Sequence, residues 1–470
     1  MSRIRRRALA CALLAVGVLA AGAGPALAHA DLLGSTPASN GRGVSVRTSE
    51  AVLRFSEPVQ ILNRPDVTVV NGRGFRVDTG APRRAAGDPR RVVIPLRGPL
   101  LPQSYTVRYR LVSADSHAAA GAFVFAVGKA RPGPPILDGS GGPSDESAMA
   151  VASRVVEFAA LMLLLGLLAF RALVWGPAVA TAAGLGSAAR ERALRHGQRA
   201  FWRTFWALAV LAGIAEAGVL AAKSAVVFHT GLGAALLHPE NAYRLVAASR
   251  FGDLLGWRCG ALCALVAVAF VTWTAESAQP PSAGRRGPFA VMALLGVTAL
   301  TLLASQGHAS QAPLAPLSIA FDATHLTAVS VWMGGLLCLA AVLLRAPRAL
   351  PDGGRALASA TLARFSRLAL WSVCVIAVTG LARAAGELSS PAQLLSTGYG
   401  RSLVLKASLL APILALARSN RRLVARLAHG WTPSVARLRA VARAVQMELV
   451  MATGIVVVAA VLVAQIPGRA

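Results

Sequence analysis

The sequence predicts a mixed fold, in which a small all-β sandwich precedes an all-α membrane domain of eight transmembrane helices. Hydrophobic residues make up 55% of the 470 residues and charged residues only 14%, whereas soluble domains usually carry about a quarter charged residues. Long apolar runs fill the second part of the chain, and short alternating segments precede them. This composition excludes a disordered chain and an ordinary soluble enzyme, because the apolar excess must face lipid.

Residues 1–28 have the features of a secretory signal peptide. A basic segment, Arg3 to Arg7, precedes an apolar run over 8–24, and Ala26-Leu27-Ala28 is the small-residue pattern at which such leaders are cut. Cleavage after Ala28 makes His29 the first residue of an exported protein. The alternative is an uncleaved anchor helix, although the apolar run is short for a membrane span and ends at Gly24-Pro25.

Residues 29–130 form the predicted exported β-sandwich. Short segments rich in β-branched and aromatic residues are separated by turn formers such as Asn71-Gly72. The predicted strands are 52–55, 66–70, 91–96, 104–112 and 121–127. Pro and Gly dominate the segment 131–148, which we interpret as a linker.

The predicted membrane domain, 149–470, contains eight apolar runs long enough to cross a bilayer. They lie at about 149–174, 204–226, 254–275, 288–306, 316–344, 365–386, 401–418 and 445–466. Arginines concentrate in the loops after the odd-numbered runs, beginning with Arg171, so these loops are predicted to be cytoplasmic. The exported domain and the C-terminus then lie outside the cytoplasm of a multi-pass plasma-membrane protein. The net charge of +28 is therefore a topology signal and does not indicate a nucleic-acid partner.

Three residues of the exported domain are candidate metal ligands. After cleavage, His29 offers an α-amine and an imidazole that can close a chelate ring, a donor pair that suits Cu(II). Asp115 and His117 are two residues apart, so on a strand they project from the same face. The predicted mature domain contains no Met or Cys, which argues against a soft Cu(I) site there. A polar strand end without metal is equally compatible with this spacing.

Ionisable groups inside the predicted spans are candidate functional residues, because burying them in a membrane is costly. Glu157, Glu216, His308, Asp322 and His325 all fall in the outer half of the predicted bundle. Asp322 and His325 are three residues apart and so share one helix face. Interhelical hydrogen bonding that only stabilises the bundle is the alternative interpretation.

Soft sulfur ligands lie deeper in the predicted membrane domain and could pass Cu(I) inward. Met447 and Met451 are four residues apart near the predicted cytoplasmic end of the last span. The other members of this set are Cys263, Met333, Cys338 and Cys374. Ordinary helix packing is the alternative for all of them.

Four segments of the exported domain resemble the periplasmic copper-binding CopC family in order and spacing. They are His29–Pro37, Leu53–Val59, Ser113–His117 and Gly121–Phe125. The resemblance implies a Greek-key sandwich of the immunoglobulin or cupredoxin type, with a Cu(II) site made by His29, Asp115 and His117. Glu57 matches a family motif residue near that site. Ser116 stands where the family commonly has Gly, which removes no ligand.

The membrane domain is similar to the CopD family of inner-membrane copper proteins. The matching segments are Gly307–Ala309, His325–Gly335, Tyr399–Lys406 and Asn420-Arg421. A chain that joins both halves resembles the CopC–CopD fusions, which implies copper import, homeostasis or resistance and no enzymatic activity. The implied partners are copper ions, the lipid bilayer and an extracytoplasmic copper donor.

Two other functions are compatible with parts of the sequence. In a membrane electron-transfer protein, His308 and His325 would bind haem, but such bundles usually need a second histidine pair at the inner side. A copper sensor or storage protein would use the same exported site without transport. No nucleotide-binding P-loop is present in the sequence, which disfavours ATP-driven transport.

Overall fold

The computed structural model describes a β-domain followed by a bundle of long helices. The described residues are 30, 32–61, 67–113, 118–136, 148–182, 185–228, 230, 232–279, 287–307, 314–349, 353–388, 392–397 and 434–463, with isolated positions at 390 and between 400 and 418. The predicted signal peptide and the candidate ligands His29, Asp115, His117 and His308 lie outside these residues.

The described part of the N-terminal domain contains nine strands. They are β1 Leu32–Thr36, β2 Gly41–Val44, β3 Glu50–Phe55, β4 Val59–Gln60, β5 Val67–Asn71, β6 Arg83–Ala85, β7 Asp88–Pro95, β8 Ser104–Ser113 and β9 Ala118–Val127. All five predicted strands are present, as β3, β5, β7, β8 and β9. The four strands that the sequence pattern missed are short or contain glycine, so they carry little alternating signal.

The strands form two sheets that enclose one apolar core. One sheet has the order β1-β3-β7-β6, and the other has the order β2-β9-β8-β4, with β5 also paired to β8. Long side chains from both sheets, including Leu53, Phe55, Ile94, Tyr105 and Phe125, are buried between them. Alternation along β8 points Leu111 into this core and Val112 to the opposite face.

Helices make up the rest of the described chain. They are α1 Ala148–Ala169, a π-helical turn Phe170–Trp175, α2 Gly176–Thr181, α3 Ser187–Phe228, α4 Leu232–Leu237, α5 Pro239–Ala248, α6 Arg250–Ser277, α7 Gly287–Ala304, α8 Ala315–Ala349, α9 Gly354–Glu387, α10 Gln393–Ser396 and α11 Val435–Val463. Six helices in this part of the chain are long and apolar enough to cross a membrane, and they coincide with the first six predicted spans. Helix α11 covers most of the predicted eighth span, and most of the predicted seventh lies outside the described residues.

The sequence predicted that Arg171 lies in a cytoplasmic loop, and this prediction is wrong. The first span continues from α1 through the π-helical turn into α2 and ends at Thr181, which places Arg171 within a helix and buries it. Its guanidinium lies 3.7 Å from a Glu276 carboxylate oxygen and 5.1 Å from the centre of the Phe289 ring. Arginine can take this position because an acidic side chain and an aromatic face replace water around it.

Helices α1 and α8 approach closely at three small residues. A Cβ atom on Gly166 would lie 2.2 Å from the Ser330 carbonyl oxygen and 2.6 Å from the Gly334 Cα. Four residues later in the chain, Phe170 of the π-helical turn contacts Phe365 of α9, which lies against Gly335 of α8. Glu157 of α1 and Gln306, which precedes α8 in the chain, both contact Arg258, so α1 and α8 start at the same end of the bundle and run parallel.

Candidate functional site

Arg258 is the centre of a buried ionic cluster in the membrane domain. Its side chain is 0% exposed. One Nη atom lies 2.5 Å from a Glu157 carboxylate oxygen, and the guanidinium donates two hydrogen bonds to the Glu216 carboxylate at 2.8 and 2.6 Å. The second Nη donates to the Gln306 Oε1 at 2.9 Å. These four residues form the Arg258 cluster.

The Arg258 cluster joins four elements of the bundle. Glu157 comes from α1, Glu216 from α3, Arg258 from α6 and Gln306 from the turn after α7. The sequence placed both glutamates in the outer half of the membrane, and the structure brings them together, but sequence reasoning missed Arg258. An arginine inside the predicted span 254–275 was the available signal. Glu216, a candidate for the copper path, is thus engaged by a guanidinium.

A second polar group lies between α8 and α9. The Asp322 carboxylate and the Arg383 guanidinium approach to 2.6 Å, and the His325 Nδ1 lies 2.9 Å from the Thr379 hydroxyl oxygen. Asp322 and His325 share a face of α8, as predicted from their spacing. Their partners are four residues apart on α9, so the two contacts lie one turn from each other. Arg383, inside the predicted sixth span, was also missed.

The hydrogen bond that Thr379 accepts from His325 fixes the orientation of the imidazole ring. The Thr379 hydroxyl donates to the Val375 carbonyl at 2.6 Å, so it accepts a hydrogen bond from Nδ1–H of the neutral imidazole. The Nε2 atom of His325 then carries the lone pair. This is the form in which a neutral histidine binds a metal ion, with a protein group holding the other ring nitrogen.

His325 and the Arg258 cluster lie at about the same depth in the bundle. Glu157 precedes Gly166 by nine residues on α1, and His325 precedes Gly334 by nine residues on α8. Because the two helices run parallel from this contact, both side chains lie about 13 Å from it, on the same side. The structure therefore places the two polar groups at one level.

The β-domain contacts the membrane domain through one end of β8. Val112 is buried against Val227, Leu245, Phe251 and Leu255 of helices α3, α5 and α6. Gln60, paired to Val112 in the sheet, accepts a hydrogen bond from the first backbone N–H of α6 at 3.2 Å. The contact is therefore apolar at its centre and polar at its edge.

The residues of this contact lie near two candidate ligand segments in the chain. Chain segment 114–117, with the candidate ligands Asp115 and His117, follows directly after Ser113 at this end of β8. The Arg250 guanidinium donates to the Ser305 carbonyl at 3.4 Å, three residues before His308. Arg250 therefore connects the strand edge at Gln60 to the turn that leads into the candidate membrane path.

The sulfur-containing candidates of the described chain differ in their burial. Cys263 and Cys374 are exposed on the outside of the bundle, and Cys338 is half-buried. Met333 is buried, and Met451 packs against the core of the bundle. Beside Met447 on α11, sequence reasoning missed the buried Glu448.

No group of three or more His, Cys, Asp or Glu side chains is close enough to hold a metal ion within the described residues. The predicted Cu(II) ligand set lies on residues outside that part, so it remains a prediction. Among the other histidines, His238 lies 2.9 Å from Glu240 at the start of α5. The Glu240 backbone amide and then His238 hold the pKa of this carboxyl below its usual value.

Family models match three parts of the chain. The CopC domain matches residues 32–128, the copper resistance protein D-like N-terminal domain matches 144–315, and copper resistance protein D matches 359–462. Both resemblances inferred from the sequence are confirmed by these matches.

Similar proteins extend the comparison. The chain is 26% identical over 396 residues to the copper transport protein CutJ of Bacillus subtilis, covering 83% of this chain and 67% of that protein. It is 30% identical over 100 residues to protein YobA of Escherichia coli, covering 21% of this chain and 79% of YobA. The crystal structure of CopC from Methylosinus trichosporium OB3b matches 23% of this chain and all of that one, with 22% identity and a TM-score of 0.19.

Arg258→Gln should strongly destabilise the membrane domain, because two buried carboxylates then lose their counter-charge, at a cost of about 3–5 kcal/mol. Arg195→Gln is the matched control, since Arg195 pairs with Glu191 on an exposed helix surface and such a pair contributes about 0.5 kcal/mol or less. Thermal unfolding of both purified variants in detergent measures the difference. Equal stability of the two variants would contradict a structural role for the Arg258 cluster.

Proposed function

Because the chain belongs to the family that joins a CopC domain to a copper resistance protein D membrane domain, we propose that it captures Cu(II) outside the membrane and passes copper inward. The exported β-domain is the capture module, and the helical bundle is the path. In this proposal the copper ion is the transported substrate. Both termini lie on the outer side, in agreement with the distribution of arginines in the sequence.

The contact between the β-domain and the bundle carries the proposal. The strand end that leads to Asp115 and His117 is seated on α6 through Val112 and Gln60. Copper released there starts next to the turn that continues to His308. A docked donor transfers its ion within one molecule, so no encounter with a separate carrier is needed for this step.

His29, Asp115 and His117 are the proposed capture ligands. An amine, two imidazoles and a carboxylate form a nitrogen and oxygen set that suits Cu(II). The free α-amine is essential to this set, because it closes a chelate ring with the imidazole of the same residue. Signal-peptide cleavage after Ala28 is therefore part of the proposed function.

His308 and His325 are the proposed receiving ligands in the membrane domain. The hydrogen bond to Thr379 leaves the lone pair of His325 on Nε2, which supports a ligand role. Asp322, one turn away and beside Arg383, adds a carboxylate to the same face. Glu216 takes no ligand role here, because its carboxylate is bound bidentately by Arg258. Met447 and Met451 are the proposed soft ligands further inward.

The haem and storage alternatives gain no support from the relatives, whose names describe copper resistance and copper transport. The bundle nevertheless allows a direct check, since haem bound by His308 and His325 gives an intense Soret absorbance band. Purified protein should show no such band.

Inserting one glycine directly before His29 should weaken Cu(II) binding by more than about tenfold, or about 1.4 kcal/mol, because the amine no longer closes a ring with the imidazole. Cu(II) titration of the purified mature chain measures the affinity, after mass spectrometry of its N-terminus. The same glycine inserted into the linker 131–148 is the control and should not change the affinity. Unchanged binding after the first insertion would remove the amine from the site.

Val112→Glu should lower copper uptake several-fold without weakening Cu(II) binding. The substitution places a charge in the apolar contact with α6, whereas Leu111 continues to fill the sandwich core. Leu33→Glu is the control, because Leu33 is an exposed apolar residue of β1. Uptake of isotopically enriched copper by cells with equal protein levels is the measurement. Parental uptake by Val112→Glu would show that docking is not needed for transfer.

His325→Ala should reduce copper accumulation to the background level, with membrane insertion and Cu(II) binding by the exported domain retained. The reason is the loss of the one described histidine that is buried in a span. His196→Ala, at an exposed position of α3, is the control and should accumulate copper normally. Parental rates in His325→Ala and also in His308→Ala would make both histidines structural.

A further inference from the structure

The Arg258 cluster contains more acidic than basic side chains, and we infer from its geometry that it holds one exchangeable proton, released when copper enters the neighbouring path. This inference rests on the proposed function and adds the coupling of copper movement to protons. The cluster is otherwise unexplained by that function, since none of its members is a proposed copper ligand.

Charge balance is the first argument. Two carboxylates, Glu157 and Glu216, face one guanidinium, and all three side chains are almost completely buried. With both carboxylates ionised, the cluster has a net negative charge in an apolar surrounding, which is costly. One bound proton makes the cluster neutral. A copper ion close by is a further positive charge that can compensate the same carboxylate, in addition to Arg154 one turn earlier on α1.

Contact geometry indicates which carboxyl group carries the proton. Glu216 receives two hydrogen bonds from Arg258, the arrangement that best stabilises a carboxylate. Glu157 approaches the same guanidinium through one oxygen. The other ionisable groups near Glu157 are Arg154, one turn earlier on α1, and Cys259, next to Arg258. Glu157 is therefore the assigned proton carrier, although the excess charge belongs to the pair of glutamates.

Position is the second argument. Gln306 binds Arg258 and precedes the proposed ligand His308 by two residues. His325 lies at the same depth as Glu157, on the neighbouring helix α8. A charge that arrives at His325 therefore acts on the cluster from the same depth of an apolar bundle interior, where electrostatic interactions are stronger than in water.

The step balances in charge and involves no oxidation or reduction. When a copper ion binds, the O–H bond of the Glu157 carboxylic acid breaks, the carboxylate keeps the electron pair, and the proton passes to water on the outer side. When copper moves on, a proton binds again. Copper and protons thus compete for one negative charge.

The test counts protons released per copper bound by the full-length mature protein in weakly buffered detergent solution, using a pH-sensitive dye and added copper chloride. The parent should release about one proton more per copper than Glu157→Gln. In that variant the Arg258 cluster is already neutral without a bound proton. Glu216→Gln should lose the same proton, because it removes the same excess charge. Protons released by the exported ligands are equal in all variants and cancel in the comparison.

Glu276→Gln is the matched control, since Glu276 is another buried glutamate paired with an arginine and lies near the opposite end of α6 from Arg258. It should release the parental number of protons. The initial rate of copper uptake into liposomes gives a second readout. In the parent and in Glu276→Gln this rate should fall with decreasing pH. In the two cluster variants the rate should be lower and should depend less on pH.

Equal proton counts in the parent and both cluster variants overturn the inference. A purely structural cluster would lower the yield of folded protein and leave the number of protons per copper unchanged. If one variant fails to fold, the other still tests the same excess charge. The proposed function fails differently, because in that case the parent itself shows no copper uptake into liposomes.

Discussion

The pairing of one guanidinium with two carboxylates inside an apolar bundle is the constraint on which the rest of the structure depends. Arg258 has no water to solvate it, so α1, α3, α6 and the turn after α7 must all bring polar atoms to one point. This requirement fixes the rotation of each helix about its axis. It also fixes the turn that leads to His308, because Gln306 is one of the partners.

The β-domain contacts the membrane domain at the start of α6, near the Arg258 cluster. Helix α6 begins at Arg250, where its first backbone N–H binds Gln60 and its guanidinium binds Ser305. Gly252 permits this start, since a side chain there would collide with the Val246 carbonyl of α5. Two turns further along α6, Arg258 organises the polar cluster. One helix thus connects the docking contact with the interior of the membrane domain.

A large part of the architecture could be predicted because the determining signals are local. Alternation predicted five of the strands, β3, β5, β7, β8 and β9, and length with apolarity predicted the six spans that the described chain contains. The pairing of Asp322 and His325 on one face followed from helical spacing. Arg171 was assigned to the wrong environment, because an arginine next to an apolar run looks like a loop residue when its partners are unknown. Its burial depends on Glu276 and Phe289, which lie more than a hundred residues away.

The sequence by itself determined the order of the two domains, the apolar helices and the residue types from which a copper site is expected, since these depend on composition, periodicity and short motifs. Only the tertiary structure decided which charges meet. Glu157 and Glu216 were predicted to share a level, but the guanidinium between them comes from a third helix, α6, and the partner of Asp322 on α8 is Arg383 of α9. The packing of Val112 against α6 could not be predicted from the sequence either. Such contacts join residues far apart in the chain, and their energy depends on burial, which a linear pattern does not specify.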